Sequence, residues 1–322
     1  MTDLLATLPI MQKARAFSLA FLWVTTLAAC SSSSSSNSGT TTGAGGSTGT
    51  TTGSGTTGAG AGGSTGGGGE KECPPGPGYG GGEAKLLIKT VEATIVDLAG
   101  NPVADTPAQA CGTDICITGT TDAKGHVLIQ VDKELTAAAI KFGDALLFAK
   151  LAIPITESSV VYPKLVTAKL PSAGVKLVAG GEVVSGEVTL NLPAGGTIII
   201  DDLVYDDDDK QLFRAATIPI ADAAPVLDVD PSLELELLFG VSPIETLMCP
   251  PAKVTVPNSA KWAAGTDVEF VIQGVDVGQE WAPYSKWQKI SDGKVSADGA
   301  TVSTVDGGGL PVLTVFGVRK KK

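Results

Sequence analysis

Six carboxylates crowd into nine residues of this 322-residue chain: Asp201, Asp202 and Asp206, Asp207, Asp208 and Asp209. Oxygen ligands at such density could serve calcium, which takes six to eight of them. No EF-hand spacing and no loop glycine accompany them, and like charges prefer water. The competing expectation is a solvated acidic loop between strands. A second group is aromatic: Trp262, Trp281, Tyr284 and Trp287 lie close together near the chain's end. Trp281, Tyr284 and Trp287 could stack on a sugar or on a partner's side chains; the alternative is packing in a β-sandwich core. Hydrolytic chemistry has less to use. His126 is the single histidine, so any Ser-His-Asp triad must use it, and no Gly-x-Ser-x-Gly elbow is present. No motif marks a carboxylate pair for glycoside hydrolysis, and no cofactor is implied.

Cysteine supplies a third chemistry. Of five cysteines, Cys30 stands apart in the N-terminal region, leaving Cys73, Cys111, Cys116 and Cys249. An even count in an exported chain suggests two disulfides, and four cysteines allow three connectivities. Cys111 and Cys116 are near enough to close a small loop; Cys73 would then pair with Cys249. That closure would constrain the unfolded chain by roughly 5 kcal/mol in the entropy model. Zinc is disfavoured, because Cys-x4-Cys has no second paired cluster.

The N-terminal region explains why Cys30 differs. Lys13 and Arg15 lead an uncharged apolar run from Ala16 to Ala29, ending Leu27-Ala28-Ala29-Cys30. A basic opening, a short apolar run and small residues before a cut site mark a secretory signal over residues 1–29. Met11 would itself make a normal opening for it. The run is shorter than the roughly 20 residues a membrane-spanning helix needs. Leu-Ala-Ala-Cys resembles the lipobox of bacterial lipoproteins. The resemblance implies cleavage before Cys30, a diacylglycerol on its thiol and an acylated new amino terminus. Ser31 stands where an inner-membrane retention signal would place Asp, which directs the expectation to the outer membrane. An ordinary secretory signal with Cys30 merely near the cut is the alternative.

Residues 31–69 contain only Ser, Thr, Gly, Ala and one Asn. Such a segment has no apolar face to offset the entropy of ordering, so a flexible tether is expected. With residues 70–83, rich in Pro and Gly, it makes residues 30–83 a lipidated cysteine and linker. About 240 residues remain to fold, enough for one large or two small domains. Net charge is −11, which disfavours a nucleic-acid partner. The basic tail Arg319 to Lys322 is expected to be a solvated end.

The folding region reads as all-β. Thr90 to Val96 is rich in β-branched residues and reads as a strand. Val188, Leu190 and Leu192 alternate with polar neighbours, as do Leu233, Leu235 and Leu237, which predicts half-buried antiparallel strands. Gly- and Pro-containing turns recur at short spacing, pointing to sandwiches or barrels with few helices. A strand, the turn Asp97 to Val103, a variable segment and Thr121-Asp122-Ala123-Lys124-Gly125 before the strand at His126 resemble the carboxypeptidase regulatory-like domain. That resemblance covers about residues 86–155 and implies a seven-stranded transthyretin- or immunoglobulin-like sandwich without a catalytic centre. Gly186 to Gly196 and Phe239 to Pro257 resemble the β-sandwich module shared by ankyrins and netrin receptors, which implies interaction. The expected architecture is therefore two Ig-like or β-sandwich modules, 84–157 and 158–322, after the tether. The expected function is non-catalytic display at the outer membrane, held by acyl chains on Cys30, towards an unidentified protein or glycan. The rival is a carbohydrate-binding module using Trp281 and Trp287; an envelope hydrolase is third.

Overall fold

The computed structural model describes residues 73–79, 84–227, 230–275 and 280–322. Cys30, the signal and the tether expected over residues 31–69 lie outside them. The all-β expectation is met: among the described residues eighteen strands are joined by turns, with one α-helical turn at Ala224–Leu227 and two 3-10 turns. Among the described residues no helix is long and apolar enough to cross a membrane.

Seven strands build the first part: β1 (Lys85–Val96), β2 (Pro107–Cys111), β3 (Cys116–Thr120), β4 (His126–Thr136), β5 (Ala139–Phe142), β6 (Leu151–Pro154) and β7 (Ser159–Val166). They form two sheets, ordered β4-β1-β7 and β3-β2-β5-β6. β1 and β4 are antiparallel, whereas β7, which lies beyond residue 157, runs parallel to β1. Their inward residues, among them Val91, Ile95, Ile129, Ala110, Ile140 and Leu151, meet in one core. Alternation of apolar and polar residues along β1 and β4 turns one face of each strand inward. The two turns singled out in the sequence pack side by side. Asp97 Oδ1 accepts from the N–H groups of Ala99 and Asn101, and Asp122 Oδ1 accepts from those of Lys124 and His126. Between them, Ile95 N–H donates to the Gly125 carbonyl and Val103 N–H to the Ile95 carbonyl. Gly125 has φ +74° and lies so close to Ile95 that an added Cβ would sit 2.2 Å from its carbonyl oxygen. Only glycine meets both demands.

The second part holds β8 (Glu182–Ser185), β9 (Val188–Asn191), β10 (Thr197–Ile199), β11 (Arg214–Thr217), β12 (Leu237–Ser242), β13 (Thr246–Pro257), β14 (Asp267–Gln273), β15 (Trp287–Val295), β16 (Thr301–Thr304), β17 (Leu310–Leu313) and β18 (Phe316–Lys320). They make one hydrogen-bonded network ordered β11-β12-β18-β14-β15-β16-β13-β9-β8, with β10 and β17 also on β13. Its ends approach each other: Ala215 N–H donates to Ser185 Oγ and Thr217 Oγ1 to the Glu187 carboxylate, so the sheet curls nearly into a barrel. β13 serves two sets of partners because Pro250 and Pro251 lack N–H donors and interrupt its ladder. Residues before them pair with β10 and β17; after them Ala252 pairs once more with β17, and from Lys253 onward the partners are β9 and β16.

Two expectations change. Leu233, Leu235 and Leu237 are all buried, but a strand begins only at Leu237. Asp230 caps a 3-10 turn at Pro231–Leu233, and Glu234 adopts a left-handed φ of 48°. Period-two burial there comes from a turn leading into a strand. The basic tail is a solvated end only in part: Lys320, Lys321 and Lys322 are exposed, whereas Arg319 is half-buried. Arg319 and Lys320 finish the interior strand β18, and Arg319 Nη2 lies 3.0 Å from Glu269 Oε2. Lys321 reaches Asp292 at 3.0 Å and Lys322 reaches Glu234 at 3.3 Å.

The two parts share a core: Tyr205, Ile218, Leu238, Ile244, Val271 and Val315 pack into the cluster of the first sheets. β6 is the edge of its sheet, and its outward backbone groups meet the side chain of Gln273, which is 0% exposed. Ala152 N–H donates to Gln273 Oε1 at 3.2 Å, and Gln273 Nε2 donates to the Ala152 carbonyl at 2.8 Å. Gln273→Leu strands both groups without partners, each costing about 1–3 kcal/mol. Calorimetry should show Tm lowered by several degrees, at about 2–4 °C per kcal/mol for a chain this size; unchanged Tm would show that the amide is not a fastener.

A pH dependence follows from Glu269. Burial pushes its carboxyl up, but Lys289 and Arg319 beside it prevail and hold it below its ordinary value of 4.5. The unfolded chain then binds a proton the folded chain refuses, so stability falls as pH drops. The contribution is complete above 4.5 and disappears as pH passes through the lower folded value. In urea titrations, Glu269→Gln should flatten the acid limb below that point relative to the parent chain.

Candidate functional site

Both disulfides link the cysteines paired above. Cys111 and Cys116 sit directly opposite each other across β2 and β3, with Cα atoms 4.0 Å apart. Cys73 joins Cys249 of β13 across 176 residues, with Cα atoms 5.5 Å apart. From Cys73 the chain lies against Glu280: Gly76 N–H donates to Glu280 Oε2 at 2.7 Å and Gly78 N–H to its backbone carbonyl at 3.0 Å. Gly76 is needed because an added Cβ would sit 2.8 Å from the Glu280 backbone.

This strapped segment walls a cavity of about 450 Å³ whose opposite sides are Trp281, Ile199, Leu247 and Val312, with Asp201 and Glu245 at one end. A second cavity, of about 310 Å³, begins at the same Asp201 and Glu245 and runs between the two parts of the fold to Asp144 and Val204. A third, of about 700 Å³, begins at Asp144 and continues past Leu147 to Asp207, Asp208 and Asp209. Shared wall residues place the three cavities next to one another in a row, a groove of three compartments.

The acidic run forms one side of it, as the loop between β10 and β11. Tyr205 is its anchor: the ring is 1% exposed, and its hydroxyl accepts the buried N–H of Ile244 at 2.9 Å. Gln211 Nε2 closes the loop on the Tyr205 carbonyl. Because Tyr205 points inward, its neighbours point out, and Leu203 is 90% exposed. Asp201 Oδ1 accepts from Leu203 N–H and Asp207 Oδ1 from Lys210 N–H. Lys210 also bridges Asp206 and Asp207, holding the Asp206 carboxyl below the usual range. The buried Arg214 pairs with Asp209 at 3.2 Å and donates to the carbonyls of Asp209 and Leu212. Among the described residues no three His, Cys, Asp or Glu side chains converge to hold a metal ion. These carboxylates are spread along a loop, and Asp201, Asp206, Asp207 and Asp209 are engaged by cations or amides.

The aromatic group separates. Trp281 packs against the core of the second part and lines the first cavity. Trp287 packs against the core of the first part, and its indole N–H has no hydrogen-bond partner among the described residues. Tyr284 is buried beside Cys111 and Ala139, with Lys141 Nζ 5.4 Å from its ring centre. Trp262 is buried and donates to Glu236. The rings of Trp281, Tyr284 and Trp287 thus face three parts of the interior, not one platform. His126, at the start of β4, has Nε2 2.9 Å from Glu92 Oε1 on the neighbouring strand.

Glu245, Glu280, Asp144 and Leu147 are groove residues that sequence reasoning missed. Nothing local marks them, since they come from three separate turns, Asp144 and Leu147 sharing one. Leu203 and Val204 carried a signal: two apolar residues inside an acidic run cannot both follow Tyr205 into the core. Tyr205→Phe removes the acceptor for a buried N–H, an effect of about 1–3 kcal/mol. Hydrogen exchange of the Ile244 amide should accelerate in that variant; exchange equal to the parent's would discount Tyr205 as the anchor.

No protein family matches this chain, and no curated protein matches it.

Proposed function

We propose that this chain is a non-catalytic, lipid-anchored protein of the bacterial outer membrane that displays its β-modules for binding or structural contact. One observation carries the reading: Leu27-Ala28-Ala29-Cys30 ends an uncharged run of 14 residues and is followed at once by the Ser/Thr/Gly tether. Each CH₂ of an acyl chain contributes roughly 0.8 kcal/mol on burial, so several chains on one cysteine make attachment effectively permanent. Two sheets of three and four strands over residues 85–166 support a regulatory-like sandwich as the first module. A binding role is favoured over thiol-dependent hydrolysis because the four cysteines from Cys73 onward are in disulfides, leaving none of them as a thiol nucleophile. A second reading, a carbohydrate-binding surface module, rests on Trp281, which lines a cavity alongside carboxylates.

Detergent phase partition with mass spectrometry of the mature N-terminal peptide tests the anchor. The parent chain should enter the detergent phase and carry a diacylglyceryl thioether at Cys30, while Cys30→Ser should stay aqueous. An unmodified Cys30 in the aqueous phase would overturn the reading.

A further inference from the structure

The groove has a chemical character that selects a partner. Its walls carry seven carboxylates: Asp201 and Glu245 at the first junction, Asp144 at the second, Glu280 near one end and Asp207 to Asp209 at the other. Four cations, Lys141, Lys150, Lys210 and Arg214, stand in the same walls, with Lys210 and Arg214 joined to Asp206, Asp207 and Asp209, so seven carboxylates meet four cations. The surplus is negative, in a chain already at −11. Alternating with the carboxylates are apolar surfaces that water covers: Leu147 and Val204 are each 58% exposed, beside Leu203. At the far end stands the indole of Trp281, whose face attracts cations. Exposed apolar surface rimmed by charge marks an interaction site.

We propose that this groove binds an extended, cationic polypeptide segment of another molecule, with Lys or Arg side chains meeting the carboxylates and apolar side chains meeting Leu147, Val204 and Trp281. Three linked cavities suit a chain several residues long, which a single small cation would not span. Nucleic acid and anionic lipid headgroups are repelled by the same charge. The chain's own basic tail does not serve, since Lys320, Lys321 and Lys322 are engaged with Glu236, Asp292 and Glu234. This inference rests on the display reading above by naming the class of partner displayed to.

The test uses the exported chain in detergent micelles and calorimetric titration with four probes: a short peptide alternating Lys and Leu, its Glu-for-Lys counterpart, a polyamine and a neutral oligosaccharide. The Lys/Leu peptide should bind, and its affinity should fall about tenfold as salt shortens the screening length. Asp201→Asn with Glu245→Gln should weaken it about tenfold; Asn can still accept the Leu203 amide. Leu147→Ser with Val204→Ser, both on the surface, should weaken it severalfold while Tm is unchanged. Equal binding of the Glu peptide, equal binding of the polyamine, a preference for the oligosaccharide, or indifference to both double variants would each overturn the proposal. Repeating the titration with Cys30→Ser separates the two readings: peptide binding by that unacylated variant retains the groove whatever the fate of the anchor, whereas an unmodified Cys30 in a parent chain that still binds the peptide rejects the anchor alone.

Discussion

The amide of Gln273 is the constraint on which the arrangement depends. β6 is an edge strand, and an edge exposes backbone donors and acceptors that must be satisfied or covered. A single side chain from β14 satisfies both outward groups of Ala152, in a place closed to water. An unpaired backbone group there would cost as much as several buried methylenes contribute. The geometry is therefore specific as well as favourable: only one placement of β14 against β6 lets both ends of the amide meet their partners. Gly240 allows the same approach nearby, since an added Cβ would sit 2.2 Å from the Ala149 side chain.

The groove is a consequence of that joint. Asp144 and Ala145 come from the turn before β6, whereas Ile244 and Glu245 come from the turn before β13. Locking β14 to β6 brings those turns face to face. Tyr205 then reaches between them and holds the acidic loop along the rim. Nothing in the acidic loop alone would create the groove.

β13 supplies the other organising element. Its two prolines divide the strand's partners, and Cys249, immediately before them, receives the disulfide from Cys73. The segment entering the fold is thereby held against the second part, although the first strand it leads to, β1, belongs to the first. The same strap makes a cavity wall beside Trp281. The cross-link thus shapes a surface besides restricting the unfolded chain.

Local chemistry made much of this legible. Period-two alternation and β-branched content identified β1, β4 and β9, because a half-buried strand must alternate whatever it packs against. The Asp-x-x-Gly and Asp-x-x-Gly-His turns were readable because a side-chain carboxylate capping its own backbone needs only nearby residues. Cysteine count made the two observed disulfides one of three possible sets. The start of β12 was not legible: buried Leu235 obeys the strand period, yet the left-handed Glu234 before it is set by the turn it leaves. The pairing of Arg319 was not legible either, since Glu269 lies far from it in the chain. What the sequence by itself determined was the all-β character, the turns and the cysteines available for cross-linking, all properties of neighbouring residues or of composition. Only the tertiary structure decided that Trp281 and Trp287 part company and that scattered carboxylates line one groove, because those facts depend on which distant strands pack together.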